Sequence, residues 1–176
     1  MAHDLFSSLD HLGSVPTASL MVQDRSGEYR PATAEELLLA AQQVLAGQVR
    51  GTDVMDSPAA VRAFLKLRLG VLPHEVFAVI HLDAQHRVLD YVEMFRGTVN
   101  QTSVFPREIV KEALARNSAA LLLVHNHPSG AAEPSRADEV LTRNLKEALA
   151  LVDVRVLDHL IVAGPTVLSF AERGLL

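Results

Sequence analysis

The chain has 176 residues, of which 49% are apolar and 21% charged, a composition that fits a folded domain with a sizeable core. Its formal net charge of −5 argues against a protein that holds nucleic acid by neutralising phosphates, because such proteins usually carry a basic excess or stripe. The chain has no cysteine, which excludes disulfides and thiolate metal ligands.

The first 13 residues lack both the basic region and the apolar region of a secretory signal. No apolar run approaches the roughly 20 residues that a transmembrane helix needs. We therefore expect a cytoplasmic protein with no membrane partner.

The first half of the chain predicts two helices after a loosely structured lead-in. Residues 1–32 show little periodicity and predict only a short strand near residues 20–22. Thr33 and Glu36 form a capping-box signature, which begins a helix that ends near Gly47. After a polar connection at 48–56, Ser57-Pro58 begins a second helix, and Gly70 ends it.

The second half alternates between strands and helices. Strands rich in β-branched and aromatic residues are predicted first as a hairpin, and a continuous apolar run then predicts a strand covered on both faces. The predicted strands are 76–82, 88–95, 119–124, 154–162 and 167–170, and the predicted helices are 106–116 and 135–149. This order indicates an α/β domain with a mixed β-sheet flanked by helices.

The strongest chemical signal lies where the buried strand ends, at His125, Asn126 and His127. Side chains two positions apart on a strand share a face and lie roughly 7 Å apart, so the two imidazoles can converge on one ion. Asp138, in the first turn of the next helix, lies at the same edge of the sheet. Two imidazoles and one carboxylate leave the fourth position of a tetrahedral zinc ion open, as in catalytic zinc sites.

Simpler explanations exist for each part of this pattern. Two histidines at this spacing arise by chance fairly often in a chain with eight of them. Ser135 and Asp138 also form a plausible capping box that needs no metal. It is the combination, at the end of an otherwise apolar strand, that favours a metal site.

The spacing of His125, His127, Ser135 and Asp138 is similar to the JAMM motif of the JAB/MPN metalloprotease family, with Pro128 after the second histidine. The fuller string from His125 to Asp138 resembles the bacterial RadC branch of that family. The resemblance runs from about residue 58 to 176 and includes 105–108, 158–160 and 169–176. It implies a JAB/MPN, cytidine-deaminase-like architecture and a metal-dependent hydrolase domain at 51–176, preceded by an N-terminal lead-in and helix at 1–50.

The resemblance also implies roles for individual residues. His125, His127 and Asp138 would hold Zn²⁺, and Ser135 would help to stabilise the oxyanion of a tetrahedral intermediate. An upstream strand glutamate would carry the proton of the attacking water, and Glu93 fits best because it is the only carboxylate late in an apolar strand.

Alternatives to these assignments remain open. Glu93 could simply face solvent from an edge strand, and Glu108 and Glu112 are rivals on a solvated helical face. The pair Asp158 and His159 lies inside an apolar strand, where it could satisfy internal hydrogen bonds or support a metal ligand.

Three functions follow from this sequence. The first is a zinc-dependent hydrolase that cleaves a peptide or isopeptide amide bond in a protein or peptide substrate. The second is a RadC-like DNA repair or recombination accessory that acts as a binding module, although the charge does not support nucleic-acid binding. The third is a metal-free scaffold. The sequence identifies neither the substrate nor the oligomeric state.

Overall fold

The structure is a computed structural model that describes residues 20–54, 57–97 and 103–176. The chain forms two compact units, Met1–Ala41 and Gln42–Leu176. No helix in the described residues is both long and apolar enough to cross a membrane.

The first unit contains a small antiparallel hairpin of β1 (Met21–Gln23) and β2 (Tyr29–Pro31). The turn between them is held by the Asp24 carboxylate, which accepts hydrogen bonds from the backbone N–H groups of Ser26 and Glu28. The strand predicted near residues 20–22 is therefore present as β1, whereas β2 was not predicted. Residues 1–19 of the predicted lead-in lie outside the described residues.

Helix α1 spans Ala34–Val49, and its first turn is held by the predicted capping box. The Thr33 hydroxyl accepts from the Glu36 N–H at 3.2 Å, and the Glu36 carboxylate accepts from the Thr33 N–H at 2.9 Å. The last turns of α1 belong to the second unit, where Leu45 and Val49 pack in the core. The domain division after residue 50 stays a prediction.

The second unit is built on one five-stranded sheet. In chain order its elements are α2 (Pro58–Leu69), β3 (Val76–Leu82), β4 (Val88–Arg96), α3 (Pro106–Ala115), β5 (Ala120–Asn126), α4 (Arg136–Ala150), β6 (Arg155–Ala163) and β7 (Thr166–Ser169). The strand order is β4-β3-β5-β6-β7, and only β5 and β6 run parallel. The prediction of a mixed sheet flanked by helices is confirmed.

Apolar side chains cover both faces of this sheet. Alternate residues of β3 and β5 point to opposite faces, and all fourteen positions are buried, as two seven-residue strands covered by helices require. Leu65 and Leu69 of α2 pack on one face, which we call the α2 face. Ile109 of α3 and Leu145 of α4 pack on the other, the α3–α4 face.

A histidine of β3, His81, is buried within this sheet away from the predicted site. His81 of β3 has no solvent exposure, and its Nδ1 lies 2.9 Å from the Ser118 hydroxyl, while its Nε2 has no hydrogen-bond partner. Burial, with a smaller contribution from Arg116, lowers the pKa of His81 to about 4. The folded protein therefore keeps this imidazole neutral at pH values where an unfolded chain protonates it.

We expect His81 to make the protein less stable in mild acid. Its folded pKa lies below its value of 6.5 in an exposed chain, so the unfolded state binds more protons as the pH falls. Between pH 7 and pH 5 this one group should remove about 2 kcal/mol from the free energy of unfolding. Urea denaturation at the two pH values should show a smaller loss for His81→Asn, and an equal loss in both proteins would contradict the assignment.

Candidate metal centre

The two predicted histidine ligands lie where β5 ends, near the middle of the sheet. His125 is 6% exposed, and its ring stacks on Phe77 of β3 with centroids 6.4 Å apart. His127 follows the strand and donates its backbone N–H to the Val162 carbonyl at 2.8 Å, so the pairing with β6 continues past the strand end. Backbone hydrogen bonds thus fix the positions of both residues.

Asp138 completes the group from the first turn of α4. Its Oδ1 lies 3.2 Å from His125 Nε2, its Oδ2 lies 3.7 Å from His127 Nε2, and the two Nε2 atoms are 2.9 Å apart. Ligands of a tetrahedral zinc ion with bonds of about 2.0 Å lie about 3.3 Å from one another. The three side chains that the sequence predicted as ligands therefore come together at distances that fit a metal ion.

Ser135 holds Asp138 in place as the N-cap of α4. Its backbone N–H and its hydroxyl donate to Asp138 Oδ2 at 2.7 and 2.6 Å, and its Oγ accepts from the Asp138 N–H at 3.2 Å. The capping box considered as a simpler explanation is thus present, and it orients the carboxylate toward the histidines. An oxyanion role for Ser135 stays a prediction.

The electrostatics of the group favour a bound cation. Burial acts to raise the pKa of Asp138, but hydrogen bonds with His125, His127 and Ser135 outweigh it and hold that pKa well below its usual range. The hydrogen bond with Asp138 in turn raises the pKa of His127. The carboxylate is ionised at neutral pH, so a positive charge between these three side chains is stabilised, whether it is a proton or a metal ion.

The ring nitrogens that face away from the centre are also bonded. His127 Nδ1 donates to the Ala131 carbonyl at 2.7 Å, because a carbonyl oxygen can only accept. This bond leaves the lone pair of His127 on Nε2, which faces the centre. His125 Nδ1 lies 2.8 Å from His159 Nε2.

The neighbouring residues Asp158 and His159 make hydrogen bonds in two different places. Asp158 accepts hydrogen bonds from the Ser169 hydroxyl at 2.5 Å and the Ala171 N–H at 2.9 Å, which secure the turn after β7. His159 is fully buried and contacts His125. Internal hydrogen bonds therefore satisfy both side chains, and only His159 contacts a predicted ligand.

The structure does not bring Glu93 into this group, and its assignment as the proton carrier needs correction. Glu93 is paired with Ala78, so it lies on the α2 face, whereas His125 is paired with Phe77 on the α3–α4 face. Its carboxylate accepts from Arg68 Nε of α2 at 2.9 Å. Glu93 is accommodated in this apolar strand because the strand lies at the edge of the sheet and Arg68 neutralises the carboxylate.

The two rival glutamates, Glu108 and Glu112, lie on α3, and Glu108 pairs with Lys111.

A different carboxylate, Glu75, lies beside the histidines. In the antiparallel pairing of β3 with β5, the last pair is Phe77 opposite His125, and extending this register by two residues past the strand ends puts Glu75 opposite His127 on the α3–α4 face. Consistent with this position, the charge of Glu75 contributes to the raised pKa of His127, after the larger contribution of Asp138. Sequence reasoning missed Glu75 because the predicted strand began at the next residue.

Asn126 fixes the backbone on either side of Glu75. Its side-chain carbonyl accepts from the Val76 N–H at 2.8 Å, and its side-chain N–H donates to the His74 carbonyl at 3.0 Å. The Glu75 carbonyl itself accepts from the Gly97 N–H at 2.9 Å. Because Asn126 is 1% exposed and lies between the two histidines, it links the ligands directly to the segment that carries Glu75.

The family model and the similar proteins found by comparison point to the same family. Residues 55–175 match the model of the RadC-like JAB domain. A UPF0758 protein of Methylibium petroleiphilum is 57% identical over 173 residues, which cover 98% of this chain and 78% of that protein. A UPF0758 protein of Aromatoleum aromaticum is 56% identical over 180 residues, covering 100% and 80%, and one of Leptothrix cholodnii is 54% identical over 171 residues, covering 97% and 77%. The chain belongs to the RadC family and carries its JAB domain at residues 55–175.

Proposed function

We propose that this JAB domain is a zinc-dependent hydrolase that cleaves peptide or isopeptide amide bonds. The observation that carries the proposal is the ligand set: two imidazoles and one carboxylate meet at one point, and the described residues add no fourth acidic or histidine ligand to the group. Structural zinc sites usually have four protein ligands, whereas catalytic sites have three and keep one position open.

The donor atoms favour zinc over harder cations. Imidazole nitrogens suit zinc and other transition metals, whereas magnesium and calcium prefer sites made of oxygen ligands. The outward nitrogens of both histidines are hydrogen-bonded, as is common for zinc ligands. When bound, zinc would act as a Lewis acid that polarises a carbonyl group and lowers the pKa of a bound water molecule to about 7.

The remaining chemistry is assigned to Glu75 and Ser135. Hydrolysis of an amide requires a group that accepts a proton from the attacking water and gives it to the leaving amine. We assign this proton transfer to the Glu75 carboxylate, because the extended strand register puts it opposite His127. The Ser135 hydroxyl donates to Asp138 Oδ2 at 2.6 Å, beside the ligand group, and we propose that it turns its single proton from Asp138 to the oxyanion of the tetrahedral intermediate.

Metal content and hydrolysis together test this proposal. We expect the purified full chain to contain about one zinc ion per molecule. We also expect it to cleave members of a quenched-fluorescence library that contains both α-linked peptides and lysine ε-linked isopeptides. His127→Ala should lose both properties. Protein that binds stoichiometric zinc but cleaves no library member would contradict the hydrolase assignment, as would cleavage that persists in His127→Ala.

A further inference from the structure

His159 and Thr142 form a buried chain of hydrogen bonds between two of the ligand-bearing residues. His159 lies on β6 with no solvent exposure, and Thr142 lies on α4 at 2% exposure. His159 Nε2 is 2.8 Å from His125 Nδ1, and His159 Nδ1 is 2.6 Å from the Thr142 hydroxyl. The Thr142 hydroxyl is also 2.6 Å from the backbone carbonyl of Asp138.

The direction of every hydrogen bond in this chain can be worked out from its far end. The Asp138 carbonyl can only accept, so the Thr142 hydroxyl uses its single proton there. Thr142 Oγ1 must then accept from His159 Nδ1, which places a proton on that nitrogen.

The same reasoning continues to the metal ligand. A fully buried imidazole whose hydrogen bonds go to a hydroxyl and another imidazole is neutral, since an unpaired buried charge is costly. With its proton on Nδ1, His159 has only a lone pair on Nε2 and accepts from His125 Nδ1. A neutral His125 then carries its lone pair on Nε2, which is the atom 3.2 Å from Asp138 Oδ1.

Aromatic packing holds the ring of His159 in this orientation. The Phe170 ring stacks against it at 4.8 Å between centroids, with 28° between the ring planes. The Phe77 ring packs edge-on at 5.8 Å on another side and also stacks on His125. A ring flip of His159 would break both of its hydrogen bonds inside a packed, apolar environment.

We propose that His159 and Thr142 are positioning residues that select the tautomer of His125 required for metal binding. Neither touches the metal position, and both act through His125. Since the chain of bonds ends on the Asp138 carbonyl, it also joins the ligand on β5 to the helix that carries the ligand on α4. The inference rests on the metal centre of the proposed function, but it does not depend on which bond is cleaved.

Two substitutions of Thr142 separate the hydroxyl from the shape of the side chain. Thr142→Val keeps the branched shape but removes the acceptor for His159 Nδ1, so His159 can shift its proton to Nε2 and leave His125 without an acceptor. Thr142→Ser keeps the hydroxyl but removes a methyl group. Loss of a partner one step removed from a ligand typically weakens metal binding 10–100-fold, and we expect about that loss for Thr142→Val. Thr142→Ser should bind zinc nearly as tightly as the wild type.

The experiment measures zinc affinity of the full chain by competition with a chromophoric chelator, together with the tautomer of His125 by long-range ¹⁵N–¹H spectra of the metal-free protein. We expect a proton on Nδ1 of His125 in the wild type and in Thr142→Ser. The free energy of unfolding of each metal-free variant shows whether Thr142→Val lowers zinc affinity only because it destabilises the folded protein. The inference is overturned if Thr142→Val binds zinc as tightly as the wild type, or if Thr142→Ser is weakened equally.

These outcomes are distinguishable from failure of the proposed function. Wild-type protein that binds zinc but hydrolyses nothing overturns the hydrolase and leaves the affinity comparison intact. Equal zinc affinity in the wild type and Thr142→Val overturns only the inference. Wild-type protein that binds no zinc overturns the ligand set on which both depend.

Discussion

Replacing Glu75 by glutamine is expected to lower the turnover number by about 10²–10⁴-fold, the usual contribution of a general acid–base group. Glutamine keeps the size of the side chain but cannot accept and return a proton. Glu75 lies opposite His127 in the strand register and is not one of the three grouped ligands, so zinc content should stay unchanged. Steady-state kinetics on a cleaved library member, with metal analysis of the same sample, measures both effects.

Glu93→Gln is the matched control for this variant. It makes the same chemical change on the neighbouring strand, on the opposite face of the sheet, where the carboxylate pairs with Arg68. That ion pair is partly exposed, so its loss should cost at most about 1 kcal/mol of stability and leave turnover near the wild-type value. If instead Glu93→Gln abolished turnover and Glu75→Gln did not, our reassignment of the proton carrier would be wrong.

Asp138→Asn is expected to weaken zinc binding by more than about 100-fold, and hydrolysis should be lost with the metal. Changes one step removed from a ligand already cost about 10–100-fold, and this one removes a charged ligand directly. The asparagine side-chain oxygen can still accept from Ser135, so the cap of α4 is largely retained. Calorimetric titration of the metal-free protein with zinc gives the affinity, and circular dichroism verifies the helix.

Glu139→Gln provides the control for the loss of one negative charge. Glu139 is the next residue on the same turn and pairs with Arg136 rather than with the histidines. Its replacement should leave zinc affinity close to the wild-type value. Equal weakening by both substitutions would show that Asp138 acts through the general field of the helix terminus and not as a ligand.

The grouping of His125, His127 and Asp138 could be predicted because their placement follows from local rules. Alternation along β5 fixes the direction of His125 and His127, and the beginning of the following helix lies at the same edge of the sheet. The helices and strands of the second unit were predicted within one or two residues for the same reason, since their apolar periodicity is strong. The hairpin strand β2 was missed because all three of its residues are exposed and carry no such pattern.

The position of Glu75, the proposed proton carrier, could not be predicted in the same way. Its position depends on the register between β3 and β5, whose paired residues lie between 38 positions (Leu82 and Ala120) and 48 positions (Phe77 and His125) apart in the chain. No local pattern encodes that register. Glu93 was attractive because a lone carboxylate in an apolar strand suggests a functional partner, but its partner is Arg68 on another element. His159 could be singled out as a buried histidine, although its contact with His125 required the parallel pairing of β5 with β6.

The two side-chain hydrogen bonds of Asn126 bear on which parts of such a domain can vary in sequence between relatives. A single amide joins the strand that bears the imidazoles to the backbone on both sides of Glu75, so the histidines and Glu75 are tied to one another within the sheet. Surface connections elsewhere can therefore change in length and composition without altering the spacing of those groups. If the proposed hydrolysis takes place at this site, exchanging such connections between relatives should redirect substrate preference while the chemical step is inherited intact.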